Sequence, residues 1–202
     1  MAVNCLIYWG SSALTAGRYH YDFTMAFDRE VPLLPVFVWF YILAFPFWAV
    51  GYLLAARRGK DMFYRFVATD LTIHFICFIC FILIPTTNIR PEIPGNTLSE
   101  KILALVYSMD GGNSPSNLFP SIHCYVSWMC WKGVEGSEKV PKWYQRFSLV
   151  FAILIIISTQ VLKQHYIVDA AAALLLVEFF WRFYQKGQRH KWIVHIFAHK
   201  KK

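Results

Sequence analysis

The chain has 202 residues, of which 57% are hydrophobic and only 16% are charged, and its net charge is +8. A water-soluble domain of this length rarely carries so few charges, so the composition indicates an integral membrane protein. We expect the basic excess to serve membrane topology and attraction to anionic lipid. Nucleic-acid binding is not expected, because no soluble part of the chain could carry it.

Six apolar runs predict an all-α integral membrane protein, a bundle of six transmembrane helices. A helix needs about 20 residues to cross the hydrocarbon layer, and three of the runs are shorter than that. We interpret the short runs as spans that extend into polar flanks or lie where the bilayer thins. The runs are residues 2–16, 33–55, 66–85, 121–134, 147–162 and 166–184.

The connections predict one membrane domain over residues 1–202, followed at its end by a basic tail from residue 186. The only long connection, residues 86–117, is rich in Pro, Gly, Asn and Ser and is expected to form the rim of a site. The start of the chain lacks the basic region and cleavage site of a signal peptide, so the first run is interpreted as a span.

Charge predicts the orientation of these spans. The connections after the second and fourth runs are basic, as is the tail, whereas the alternate connections are neutral or acidic. Under the positive-inside rule both termini are cytoplasmic, and the expected location is the plasma membrane. The basic residues are Arg57, Arg58, Lys60, Arg65, Lys132, Lys139, Lys142, Arg146, Arg182, Lys186, Arg189, Lys191 and Lys200 to Lys202.

A histidine and an aspartate, His165 and Asp169, stand four residues apart where the last run begins. On a helix they would share one face, so that the carboxylate could fix the imidazole tautomer and leave the other ring nitrogen free. His123 begins the fourth run at the same predicted outer face. Such a pair is commonly an ordinary local contact, but ionisable groups at the edge of a bilayer core are costly and favour a site.

Three further residues at this face could bind an anion. Arg90 offers a planar fork for phosphate oxygens, and Ser121, with the amides of residues 121 and 122, would open the fourth run. Each has a structural alternative: Arg90 as an interfacial anchor, Ser121 as a helix cap and Lys163 as a side chain reaching lipid headgroups. No carboxylate cluster at this face could hold a magnesium pair, so neither a metal nor a cofactor is expected.

Taken together, these residues resemble the type 2 phosphatidic acid phosphatase superfamily, six-helix membrane enzymes with the motifs K-x6-R-P, P-S-G-H and S-R-x5-H-x3-D. The resemblance covers about residues 33–185. The matching residues are Arg90-Pro91, Pro120-Ser121-Ile122-His123, and Ser158-Thr159 followed by His165 and Asp169.

The resemblance implies a phosphatase that acts on a lipid phosphate at the extracytoplasmic face through a phosphohistidine. His165 would attack the phosphorus, and Asp169 would hold the far nitrogen of its ring. His123 would protonate the leaving oxygen. The implied partners are a phospholipid or another lipid phosphate and the bilayer.

The motifs also depart from the family pattern, because Leu83, Ile122 and Thr159 stand where the family has lysine, glycine and arginine. Thr159 can donate only a neutral hydrogen bond, so either Lys163 supplies the missing charge or the substrate is a less charged phosphodiester. The string from His165 to Ala170 is also similar to sphingomyelin and inositol phosphorylceramide synthases, which are lipid phosphotransferases. A lipid carrier on a decayed enzyme scaffold is a further alternative.

Overall fold

The computed structural model describes residues 2–112 and 115–198, with side chains from residue 7 to residue 194 except Trp9. Lys200 to Lys202 of the predicted basic tail lie outside the described residues. The helices are α1 (Ala2–Thr15), α2 (Ala26–Glu30), α3 (Val38–Arg57), α4 (Lys60–Leu83), α5 (Leu98–Met109), α6 (Ile122–Val134), α7 (Lys142–Val161), α8 (Ile167–Gln185) and α9 (Lys191–Ala198).

The described chain is mostly helical, as predicted, and a helix occupies each of the six predicted positions. Three segments in the described residues are long and apolar enough to cross a membrane, namely Pro35–Arg57, Lys60–Leu83 and Lys142–Val161. The first of them includes the short 3-10 turn Pro35–Phe37 before α3. Crossing by α1, α6 and α8 stays a prediction, as does the side on which each terminus lies.

Helix α6 lies at the centre of the bundle, where it packs against α3, α7 and α8. Its Tyr125, Met129 and Cys130 are fully buried. Gly51 of α3 permits a close approach, because a Cβ atom there would lie 2.6 Å from the Sγ atom of Cys130. This packing fixes the position of the first residues of α6, which include His123.

The two ends of the bundle differ in chemistry. At one end, Arg58 donates to the Gly133 carbonyl at 3.1 Å and Arg65 donates to the Tyr184 carbonyl at 2.7 Å. These contacts join basic residues at the end of α3 and near the start of α4 to the last residues of α6 and α8. The first residues of α6 and α8 lie at the opposite end, so the histidines there are separated from the basic end by the length of the helices.

The structure adds two features to the predicted connections. Helix α5 lies within the long connection, for which no helix was predicted. It begins with a capping box in which Thr97 and Glu100 bind each other's backbone amides. Strands β1 (Tyr21–Asp22) and β2 (Thr86–Thr87) pair in parallel, with Tyr21 opposite Thr86. Both features lie at the histidine end and shape its rim.

Candidate active site

The turn between α7 and α8 positions His165. The amides of Gln164 and His165 both donate to the Thr159 carbonyl, at 2.9 and 3.0 Å, and so end α7. Tyr166 is the N-cap of α8, and Asp169 Oδ2 accepts from the Tyr166 amide at 2.9 Å. His165 therefore precedes the helix. The prediction that His165 and Asp169 share a helix face is wrong, and the cap geometry brings them together instead.

The imidazole of His165 has two neighbours at one ring nitrogen. Its Nδ1 atom lies 3.0 Å from the Leu118 carbonyl oxygen and 3.5 Å from Asp169 Oδ2. A carbonyl can only accept, so the Leu118 contact requires a proton on Nδ1 and leaves the lone pair on Nε2. Leu118 is itself held, since its amide donates to the Thr86 hydroxyl at 3.0 Å.

His123 lies close to His165, with the two ring centroids 6.3 Å apart. Its ring stacks on Tyr41 at 4.2 Å and lies 5.0 Å from the ring of Trp48. The Nε2 atom of His123 is buried and has no hydrogen-bond partner among the described residues. The structure thus brings together the two histidines of the sequence prediction, with aromatic rings holding the second.

Ser121 caps α6. Its hydroxyl accepts from the Cys124 amide at 3.3 Å, and its own amide donates to the Asp169 carbonyl at 3.2 Å. The expectation that the Ser121 amide would point at an anion is wrong, because this amide joins the start of α6 to α8. The bond holds the start of α6, which carries His123, against the first turn of α8, which follows His165.

Arg90 is buried, with 3% of its surface exposed, so the alternative of an interfacial anchor is wrong. Its Nη1 donates to the carbonyls of Asp110 and Gly112, both at 3.1 Å. Its Nη2 donates to the Asp110 carboxylate and to Gln164 Oε1. The Nε–H group has no hydrogen-bond partner among the described residues, and the guanidinium lies over the Tyr107 ring, 4.6 Å from its centroid. Burial lowers the pKa of Arg90 to about 10, which leaves the guanidinium charged at neutral pH.

Thr159 and Lys163, both predicted to bind phosphate, have other contacts. The Thr159 hydroxyl donates to the Ile156 carbonyl at 2.7 Å, within its own helix. The Lys163 ammonium donates to the carbonyls of Asp28 and Val31, at 2.6 and 2.5 Å, where α2 ends. Desolvation lowers the pKa of Lys163 below its usual value. The described contacts of both residues are therefore structural, and binding of phosphate by either of them stays a prediction.

The sequence reasoning missed three contributors: the Leu118 carbonyl, Asp110 and Gln164. A backbone carbonyl cannot be recognised from residue types. Asp110 contacts Arg90, which lies twenty residues earlier in the chain, so no local pattern joins the two. Gln164 had a signal, since it immediately precedes His165. A polar residue beside the predicted nucleophile could have been included in the site.

Comparison with known proteins decides the family. A family model described as the PAP2 superfamily matches residues 19–182, which is more than half of the chain. The chain belongs to the PAP2 superfamily. Searches among curated proteins and among solved structures found no match.

Membership in the PAP2 superfamily confirms the resemblance to type 2 phosphatidic acid phosphatases and extends it toward the N-terminus, from about residue 33 to residue 19. Together with the three long apolar helices, it supports a membrane protein from a family of phosphatase-type lipid phosphoesterases. The similarity to sphingomyelin and inositol phosphorylceramide synthases is not specifically shown by this match.

Proposed function

We propose that this protein is a lipid phosphatase of the plasma membrane that hydrolyses a lipid phosphate at the extracytoplasmic face through a phosphohistidine. The observation that carries the proposal is the Leu118 carbonyl at 3.0 Å from Nδ1 of His165. It sets the tautomer in which Nε2 can attack, and His123 is the second imidazole nearby. A lipid-binding carrier would have no need of a nucleophile set in this way.

In the first step, the lone pair on Nε2 of His165 forms a bond to phosphorus while the bond from phosphorus to the lipid oxygen breaks. This step requires a protonated His123, which gives its proton to the departing oxygen, so the lipid leaves as an alcohol. The His165 ring now carries a positive charge. Asp169 Oδ2, 3.5 Å from Nδ1, stabilises that charge.

In the second step, water attacks the phosphorus of the phosphohistidine and gives one proton to the now neutral His123. The bond from phosphorus to Nε2 breaks, and its electron pair returns to His165. Inorganic phosphate is released, and both histidines regain their starting protonation states. His123 therefore serves as the general acid in the first step and as the general base in the second.

A specific observation favours a second candidate, a lipid phosphotransferase acting on a phosphodiester. Arg90 is paired with Asp110, and the Lys163 ammonium is bound to backbone carbonyls. Burial raises the pKa of Asp110 to about 8, but the guanidinium in direct contact favours the ionised carboxylate. A site with so little free positive charge suits a monoanionic diester better than a dianionic monoester. In that case a lipid hydroxyl would replace water in the second step.

The two candidates are tested with purified protein in detergent or liposomes. Phosphatidic acid, a prenyl diphosphate and a phosphodiester lipid are supplied separately, each with and without diacylglycerol or ceramide, and free phosphate and new lipids are measured. Release of phosphate from a monoester supports the phosphatase. New phospholipid that requires the added alcohol supports the transferase. Equal turnover by folded His165→Ala protein would exclude both.

A further inference from the structure

Gln164 is a deeply buried polar side chain beside the proposed nucleophile, with 1% of its surface exposed. It precedes His165 in the turn that ends α7, and its backbone amide is bound to the Thr159 carbonyl at 2.9 Å. This hydrogen bond fixes the backbone from which the Gln164 side chain extends. In the family motif S-R-x5-H-x3-D this position is the last of the five unspecified residues before the histidine.

The orientation of the Gln164 amide follows from its partner. Arg90 Nη2 lies 2.6 Å from Gln164 Oε1, and a guanidinium can only donate, so the atom that faces it must be the oxygen. The Nε2 atom then carries two N–H groups. It is buried and has no hydrogen-bond partner among the described residues.

The neighbouring Arg90 has a matching feature. Its four terminal N–H groups are used by Asp110, Gly112 and Gln164, whereas its buried Nε–H has no partner in the described part of the chain. Buried donors without partners are rare and costly in folded proteins. Two of them on side chains joined by one hydrogen bond, next to a predicted nucleophile, are typical of a site that receives an acceptor from a ligand.

We infer that the Gln164 amide, together with the Nε–H of Arg90, binds a non-bridging oxygen of the phosphoryl group, so that Gln164 supplies donors the site lacks at Thr159. This inference rests on the proposed function. The amide adds hydrogen bonds without charge, and the Asp110 carboxylate already balances the guanidinium. The cradle accordingly selects a phosphoryl group of low charge, such as the monoanion of a phosphodiester or a singly protonated monoester.

The test measures binding of inorganic phosphate to purified full-length protein in detergent by thermal stabilisation and by ³¹P line broadening. Gln164→Glu keeps an oxygen for Arg90 but replaces both donors with an acceptor, and Gln164→Met removes the amide without adding charge. Gln160→Glu is the control for charge, because Gln160 lies one turn earlier and its amide is bound to the Thr159 hydroxyl at 3.0 Å.

We expect the Kd for phosphate to rise at least about tenfold in Gln164→Glu and several-fold in Gln164→Met, with less than a twofold change in Gln160→Glu. With a lipid that the parent protein converts, the two Gln164 substitutions should raise KM by a larger factor than they lower kcat. Absence of phosphate binding by the parent, or parent-like binding by both folded Gln164 variants, overturns the inference. If one Gln164 variant melts at a much lower temperature than the parent, the inference is judged from phosphate binding by the other variant and the parent.

His165→Ala separates this inference from the proposed function. It should bind phosphate about as well as the parent while losing turnover, which supports both. Phosphate binding that depends on Gln164 in a protein whose turnover does not depend on His165 would retain the cradle and contradict the phosphohistidine. If turnover depends on His165 but phosphate binding does not depend on Gln164, the phosphohistidine is retained and the Gln164 cradle is contradicted.

Discussion

Nδ1 of His165 lies closer to the backbone carbonyl of Leu118, at 3.0 Å, than to Oδ2 of Asp169, at 3.5 Å. The tautomer of the imidazole is thus held by a group that no side-chain substitution removes. Asp169 keeps two tasks, since it also caps α8 through the Tyr166 amide. Because the Leu118 carbonyl holds the tautomer, substitution of Asp169 is expected to remove charge stabilisation and the helix cap but not the reactive tautomer.

We predict that Asp169→Asn retains measurable activity, whereas His165→Ala retains none. Asparagine loses the negative charge, but the Leu118 carbonyl still selects the reactive tautomer. The loss in kcat should be at most about 10³-fold, below the roughly 10⁴-fold loss caused by the wrong tautomer in the serine protease precedent. Single-turnover rates with the same lipid phosphate measure both effects.

Asp28→Asn is the matched control, because Asp28 Oδ1 also accepts an amide at the start of α8, that of Ile167 at 2.9 Å. It removes the same charge from the same helix end and should affect kcat far less than Asp169→Asn. An Asp169→Asn protein as inactive as His165→Ala would show that the Leu118 carbonyl does not control the tautomer.

Lys163→Met should lower stability and leave catalysis nearly intact. The ammonium binds the Asp28 and Val31 carbonyls, and hydrogen bonds from a charged group of this kind are worth about 1.5–3 kcal/mol. We expect kcat/KM within about threefold of the parent and a lower melting temperature, with Lys163→Arg closer to the parent in melting. A tenfold loss of kcat/KM in Lys163→Met at unchanged stability would restore its predicted role as a phosphate ligand.

The course of the helices could be predicted from the sequence because burial in a bilayer demands long apolar runs, and those runs mark α3, α4 and α7 directly. Helix α5 was not predicted because it lies in a long connection rich in Pro, Gly, Asn and Ser, although Thr97 and Glu100 form a capping box that the sequence pattern indicates. The partners of His165 and Arg90 could not be predicted. They depend on backbone groups and on contacts between distant segments, which leave no periodic pattern.

Chelators should leave turnover unchanged. Among the described residues, no group of three or more His, Cys, Asp or Glu side chains could hold a metal ion, and the proposed steps use a histidine nucleophile and a histidine acid. Activity is compared before and after dialysis against EDTA, with substrate added in metal-free buffer. Loss of activity that Mg²⁺ or Zn²⁺ restores would contradict this prediction.

The histidine end of the bundle should face away from the cytoplasm, because the basic connections lie at the other end. A cysteine at Asn96, an exposed position before α5, should react with a membrane-impermeant maleimide added to intact cells. A cysteine at Glu138, exposed between α6 and α7, should react only after the cells are opened. The parent chain measures background labelling, and the reverse pattern would invert the proposed topology.

The central claim is the covalent phosphohistidine, and rapid-quench trapping tests it most directly. Protein is mixed with phosphatidic acid or a phosphodiester lipid carrying ³²P, quenched in alkali within milliseconds, and digested for mass spectrometry. The account predicts an acid-labile, alkali-stable label on the peptide that contains His165, formed at least as fast as turnover and missing from His165→Ala. Turnover of the lipid without this label, or a label on His123 instead, would contradict it.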